Sequence, residues 1–161
     1  MMAPQIRLIQ QKDNPQLALI IRSVLVELGA PKEGTAYEDE ALDQMFETYQ
    51  PDRRRFFVIE ENGKVIGGGG IAPLDNYKGN VCELQKMYFL PEARGRKLGT
   101  QLIDRCLETA REFGYEHCYL ETMSYMEAAQ RLYKKYGFAL LDGPMGDTGH
   151  YACGVHMIKA L

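Results

Sequence analysis

Arg94-Gly95-Arg96-Lys97-Leu98-Gly99-Thr100 is the stretch on which the reading of this chain turns. It joins two segments of different character. Cys82 to Leu90 reads as a strand and stops at Pro91. Leu98, Leu102, Cys106, Ala110 and Phe113 then recur at helical spacing until Gly114 ends the pattern. The first N–H groups of a helix have no partner within it and carry partial positive charge. Gly95 and Gly99 let such amides approach an anion closely, and Arg94, Arg96 and Lys97 add cationic charge. A pyrophosphate suits that surface. The stretch is neither GxxxxGK[ST] nor GxGxxG, which sets aside the Walker A and dinucleotide loops. Taken alone, it fits a basic helix start without a ligand equally well.

Working outward, Ile6 and Leu8 predict a short first strand. Leu17, Ile20, Ile21, Val24, Leu25 and Leu28 predict a helix that begins after Asp13-Asn14-Pro15 and ends before Gly29. A second, weaker helix is expected from about Glu38 to Tyr49, after a loop over residues 29–37. Phe56 to Glu60, Asn62-Gly63 and Val65-Ile66 form a β-hairpin pattern. The run Gly67-Gly68-Gly69-Gly70 extends its second strand, where glycine is tolerated only for a bulge or a close backbone neighbour. Tyr115 to Glu121 reads as strand and Met126 to Tyr136 as helix, stopped at Gly137. Phe138 to Leu141 and Tyr151 to Ile158 pair as strands at the end. The order β-α-α-β-β-β-α-β-α-β-β predicts a mixed α/β fold.

At 161 residues the chain is expected to form a single domain, 1–161, because two separate cores would each be marginal. No apolar run approaches the roughly 20 residues of a membrane span. The first residues lack the apolar core of a signal peptide, so a cytoplasmic location and no membrane partner are expected. A net charge of −3 argues against a nucleic-acid partner. Arg53-Arg54-Arg55 is read as a solvated edge leading into a strand. Cys82, Cys106, Cys118 and Cys153 form no CxxC pair, and with His117, His150 and His156 they give no metal-ligand spacing, so no metal is expected.

In two motifs the chain resembles the GNAT superfamily of N-acetyltransferases. The family's loop reads [Arg/Gln]-x-x-Gly-x-[Gly/Ala], and Arg94, Leu98 and Gly99 fall into that frame, with Lys97 where the middle glycine usually stands. The family's later helix carries Ala-x-x-Leu-Tyr-x-x-x-Gly-Phe, matched by Ala129-Gln130-Arg131-Leu132-Tyr133-Lys134-Lys135-Tyr136-Gly137-Phe138. The resemblance covers residues 55–141 well and the rest by element order. It implies the GNAT-type acyl-CoA N-acyltransferase fold, a central, mostly antiparallel mixed sheet flanked by helices. It also implies acetyl-CoA as the acetyl-donor cosubstrate and a small-molecule or peptide amine as acceptor, with a homodimer left open.

The same resemblance assigns the sites. Arg94, Gly95, Arg96, Lys97, Leu98, Gly99 and Thr100 would cradle the diphosphate, Lys97 through its amide and without a strained φ. The backbone of Met87, Tyr88 and Phe89 would pair with the pantetheine arm, because the family splays this strand from its neighbour. Met126 and Ala129 would flank the arm. Tyr133 would stand beside the sulfur and protonate the departing thiolate; a phenol remains a donor at neutral pH. A lysine-like amine arrives protonated, so a base must act directly or through water. Glu83 is the candidate, set against a structural strand carboxylate. Tyr37 and residues 146–151 border the expected acceptor pocket, with His150 as another candidate proton acceptor. Direct attack is expected rather than a cysteine nucleophile: Cys106 sits mid-helix on an apolar face. A GNAT-fold module that senses acetyl-CoA without turnover is the alternative.

Overall fold

The computed structural model describes residues 3–161. Leu17, Ile20, Ile21, Val24 and Leu25 become the buried face of α1 (Asn14–Glu27), and Gly29 turns the chain beyond it at φ 75°. The hairpin forms as expected from β2 (Arg55–Glu61) and β3 (Lys64–Pro73). Asn62 and Gly63 take φ values of 52° and 80° at its tip, the left-handed pair that matches strand twist in a two-residue turn. Along β2, Phe56 and Val58 join the α1 core on one face of the sheet. Phe57 and Ile59 join the opposite core, with Leu102, Ile103 and Cys106 of α3 (Leu98–Glu112). Burying each such side chain contributes about 1.5–3 kcal/mol, so strand alternation fixes which helix covers which face.

Seven strands form one sheet in the order β1-β2-β3-β4-β5-β7-β6. Here β1 is Gln5–Leu8, β4 Val81–Phe89, β5 His117–Thr122, β6 Ala139–Leu141 and β7 Val155–Ala160. β4 and β5 are parallel, joined by the α3 crossover, and the other neighbouring pairs are antiparallel. The mixed, mostly antiparallel sheet flanked by helices is therefore as expected. Among the described residues, no helix is long and apolar enough to cross a membrane.

The glycine run meets both conditions that excuse glycine in a strand. A Cβ on Gly70 would lie 2.5 Å from the Arg55 carbonyl oxygen and 2.6 Å from the Phe56 ring. The register with β4 also shifts between Gly68 and Gly70, opposite Lys86, which adopts φ 51°. That bulge bends β4 halfway along its length.

Some boundaries differ from expectation. The helix expected over 38–49 is broken into 3₁₀ turns at Ala36–Glu38 and Glu40–Asp43 and the single turn α2 (Met45–Thr48). Asp39 is extended between the first two (φ −61°, ψ 121°). Its carboxylate is held by Lys86 and His150, and tertiary contacts of this kind outweigh a weak helical pattern. β7 begins at Val155, not Tyr151, which is exposed in a turn. Arg53-Arg54-Arg55 leads into β2 as expected, with Arg53 exposed, and the edge is pinned as well. Arg53 stacks on Tyr115 at 3.9 Å and donates to Asn80, and Arg55 lies over Phe113.

Candidate active site

The parallel pairing of β4 with β5 covers Val81 to Glu83 against His117 to Tyr119 and stops there. Beyond Glu83 the Lys86 bulge carries β4 away, and its facing edge is left without a registered strand. A cavity of about 520 Å³ fills the opening, with Met87, Tyr88 and Phe89 on one wall and Leu120 to Met123 on the other. Gly95, Lys97, Leu98, Gly99 and Thr100 also line it, at the start of α3.

The basic side chains of this loop are mostly committed to protein carboxylates. Arg94 holds Glu27 of α1 through a two-pronged ion pair at 2.8 Å and also donates to the Phe89 carbonyl. Arg96 is paired with Glu61 and donates to the Glu92 carbonyl. These contacts fasten the loop to its surroundings and spend charge expected to face an anion. Lys97 is exposed and has no carboxylate partner among the described residues. Its backbone corrects the expectation of an unstrained φ: it is left-handed, at φ 62° and ψ 15°, immediately before Leu98. The chain makes here the turn that glycine makes more easily. Gly99 has no such need. A Cβ there would meet Leu132 at 3.5 Å and Phe89 at 3.6 Å, which are ordinary contacts, so internal packing does not require the missing side chain.

At the other end, α4 (Glu127–Lys135) brings Tyr133 to the cavity wall. Its ring meets Phe138 edge-on at 6.0 Å, and burial pushes the phenol up to about 12. Tyr136, three residues on, donates instead to the Thr100 carbonyl and ties α4 to α3. Ala129 lines the cavity. Met126 does too, although it caps α4 rather than lying within it.

Residues 22–138 match the pattern of the family described as Acetyltransferase (GNAT) family. The chain is 41% identical over 160 residues to the Uncharacterized N-acetyltransferase YjgM of Escherichia coli K12, covering 99% of this chain and 96% of that one. It superposes on a GNAT-family acetyltransferase of Staphylococcus aureus with a TM-score of 0.85 at 22% identity, covering 99% of both chains. It superposes on a phosphinothricin acetyltransferase of Sinorhizobium meliloti, solved with acetyl-CoA, with a TM-score of 0.78 at 19% identity, covering 99% of this chain and 89% of that one. The chain belongs to the GNAT acetyltransferase family. It is an acetyl-CoA-dependent acetyltransferase.

In this GNAT enzyme the titratable groups gather beside the splay. Glu83 is buried and does not line the cavity. Burial raises its carboxyl to about 7; the Gln85 amide, donating at 2.7 Å, opposes the rise and the charge of Glu121 adds to it. Glu121 does reach the wall, where it accepts the Tyr119 hydroxyl at 2.7 Å and the Thr148 hydroxyl. His150 is no solvated loop residue. Its Nε2 stands 2.9 Å from Asp39 and its Nδ1 3.9 Å from Glu121. Burial lowers its pKa, but the hydrogen bond and charge of Asp39 outweigh this and raise it above 6.5.

Asp39, Gln85, Lys86 and Glu121 were missed by the sequence reading. Lys86 and Glu121 carried a faint signal: each is a charge inside a segment read as strand, with an apolar residue on one side. Tyr37, expected near the acceptor, lies outside the wall beneath Lys32 and Arg22. His156 stacks on Tyr119, and His117 opens β5. Cys106 is buried with its thiol pushed up, and Cys153, on the wall, is lifted to about 12 by burial. Neither favours a thiolate nucleophile.

Proposed function

We propose that this chain, acting as one domain over residues 1–161, transfers the acetyl group of acetyl-CoA to a primary amine by direct attack. The observation that carries the reading is that one cavity joins the amide-rich start of α3 to the Tyr133 ring. The residues fit the donor. Gly99 offers a bare surface that packing does not demand, Lys97 offers the loop's unpaired cation, and β4 beyond Glu83 offers an edge without a strand partner. When bound, acetyl-CoA supplies an activated thioester.

The chain's own groups handle binding and protons. Amides at Gly95 to Thr100 hold the diphosphate, and the backbone of Met87 to Phe89 aligns the arm between β4 and the Met126–Ala129 side. The Tyr133 hydroxyl, held protonated by burial, donates a proton to the leaving sulfur. Glu83 accepts the amine's proton. Because it sits behind the wall, the transfer runs through water at Glu121, and a carboxyl near 7 is matched to neutral pH. A wall that presents Glu121, while Lys86 is already bound to Asp39, favours amines over acidic acceptors.

The test is thiol release from acetyl-CoA with lysine, spermidine and phenethylamine as acceptors, repeated with Tyr133→Phe. Turnover with at least one amine, reduced in the variant at unchanged CoA affinity, supports the reading. CoA binding without thiol release from any amine would favour a sensor.

A further inference from the structure

Tyr49 and Gln85 lie outside the cavity wall, yet they form a hydrogen-bonded chain that ends on Glu83. Gln85 follows Glu83 by two residues on β4, so both side chains leave the same face of the strand. The Tyr49 hydroxyl donates to Gln85 Oε1 at 2.6 Å, and Gln85 Nε2 donates to Glu83 Oε1 at 2.7 Å. Tyr49 is buried, and its ring is packed against Phe56 at a centroid distance of 5.1 Å. Its phenol, lifted by burial, stays a donor throughout the working pH range. An amide can present either its oxygen or its N–H. Beside an ionised carboxylate, the sense observed here is the one in which every donor meets an acceptor; the reverse would set a carbonyl against a negative charge. We propose that Tyr49 and Gln85 are positioning residues for Glu83, a buried phenol–amide chain that keeps a donor aimed at its carboxylate in the proton-accepting form. The inference rests on the reading of Glu83 as the base.

Other groups also face Glu83. Glu121 of β5 disfavours its charge, and Lys86 of β4 and His150 of the β6–β7 loop favour it. Asp39 binds both Lys86 and His150. The phenols of Tyr88 and Tyr119 and the thiols of Cys118 and Cys153 are pushed up by burial, with a hydrogen bond to Cys82 leading at Cys118, and stay neutral. Against this fixed background the amide is the donor that a conservative substitution can remove. A hydrogen bond to a charged group is worth about one pK unit.

The experiment is a pH titration by NMR of protein carrying ¹³C-carboxyl glutamate, with the Glu83 signal assigned by its loss in Glu83→Gln. Gln85→Met should raise the midpoint of that signal by about one pH unit. Tyr49→Phe, which keeps the ring packing, should raise it by less, because the phenol acts by polarising the amide. In a rate arm with the most reactive amine of the panel, the acid limb of kcat/KM should move by the same amount. If the Glu83 signal stays put in both variants while Glu83→Gln abolishes the acid limb, the positioning role is overturned and the base reading stands. If the signal moves but the limb does not follow, Glu83 is not the base, and both fail. Should Gln85→Met not fold, Tyr49→Phe decides alone, and an unmoved signal there overturns the inference.

Discussion

Replacing Lys97 by glycine should make the protein more stable and its hold on CoA weaker, and the two effects have separate origins. Lys97 is exposed, and its φ of 62° places Cβ against its own backbone. A left-handed conformation costs an L-residue about 1–2 kcal/mol. Glycine removes that strain but gives the unfolded chain extra freedom worth about 0.4–1 kcal/mol. The difference is a net gain of about 0.5–1 kcal/mol, or a Tm rise of about 2 °C for a chain of this length. Lys97→Ala is the control: it keeps Cβ and the strain but loses the same charge. Both variants should bind CoA up to about fivefold more weakly at low salt, the worth of one exposed ion pair, with the gap closing as salt rises. Thermal melting and calorimetric CoA titration measure the two quantities. A Lys97→Gly protein that melts below Lys97→Ala would refute the claim that this backbone is strained.

Gly99→Asp separates binding from folding at the same loop. The nearest contact of a new Cβ is 3.5 Å and an acidic residue suits the first turn of a helix, so Tm should hold within about 2 °C while CoA affinity falls by about 100-fold or more through steric and charge conflict. For Glu83 the native carboxyl titrates near 7 against an ordinary 4.5, so the folded state binds the proton more tightly. The stability this contributes is full below the unfolded value and is lost as pH rises through about 7. Glu83→Gln should therefore be more stable than the parent by up to about 3 kcal/mol at pH 8, with no gain near pH 4. Equal gains at both pH values in denaturant melts would contradict a buried, titrating Glu83.

What the sequence disclosed was local. The Asn62-Gly63 turn, the apolar stripe of α3 and the glycine-ended α4 each rest on residues a few positions apart, and each formed where it was expected. The acid–base cluster does not work that way. His150 meets Asp39 across 111 residues, and no spacing rule links them. The broken helix over 38–49 belongs to the same failure: its pattern fitted a helix, but Asp39 and Tyr49 are each drawn toward β4, and one straight helix is replaced by three short turns. Glu83 is singled out in the sequence by its place before the loop. That it stands behind the cavity wall, with Glu121 in front, depends on the sheet opening one residue later.

The bulge at Lys86 explains why the two halves of the site occur together. An extra residue opposite the glycine run bends β4, and that bend frees the edge along which Met87 to Phe89 run. The same left-handed residue projects its ammonium to within 3.5 Å of Asp39, which also holds His150 of the distant β6–β7 loop. Opening the sheet and tying Asp39 to β4 are thus consequences of one local deformation. The deformation is possible because β3 opposes it with glycine. A Cβ at Gly69 would lie 3.1 Å from the Leu102 side chain and 3.2 Å from that of Met87, tight enough that those side chains would have to shift. Gly67 and Gly69 make room for β4, and Gly68 and Gly70 make room for β2, so the run serves close neighbours on both sides while β4 parts from β5.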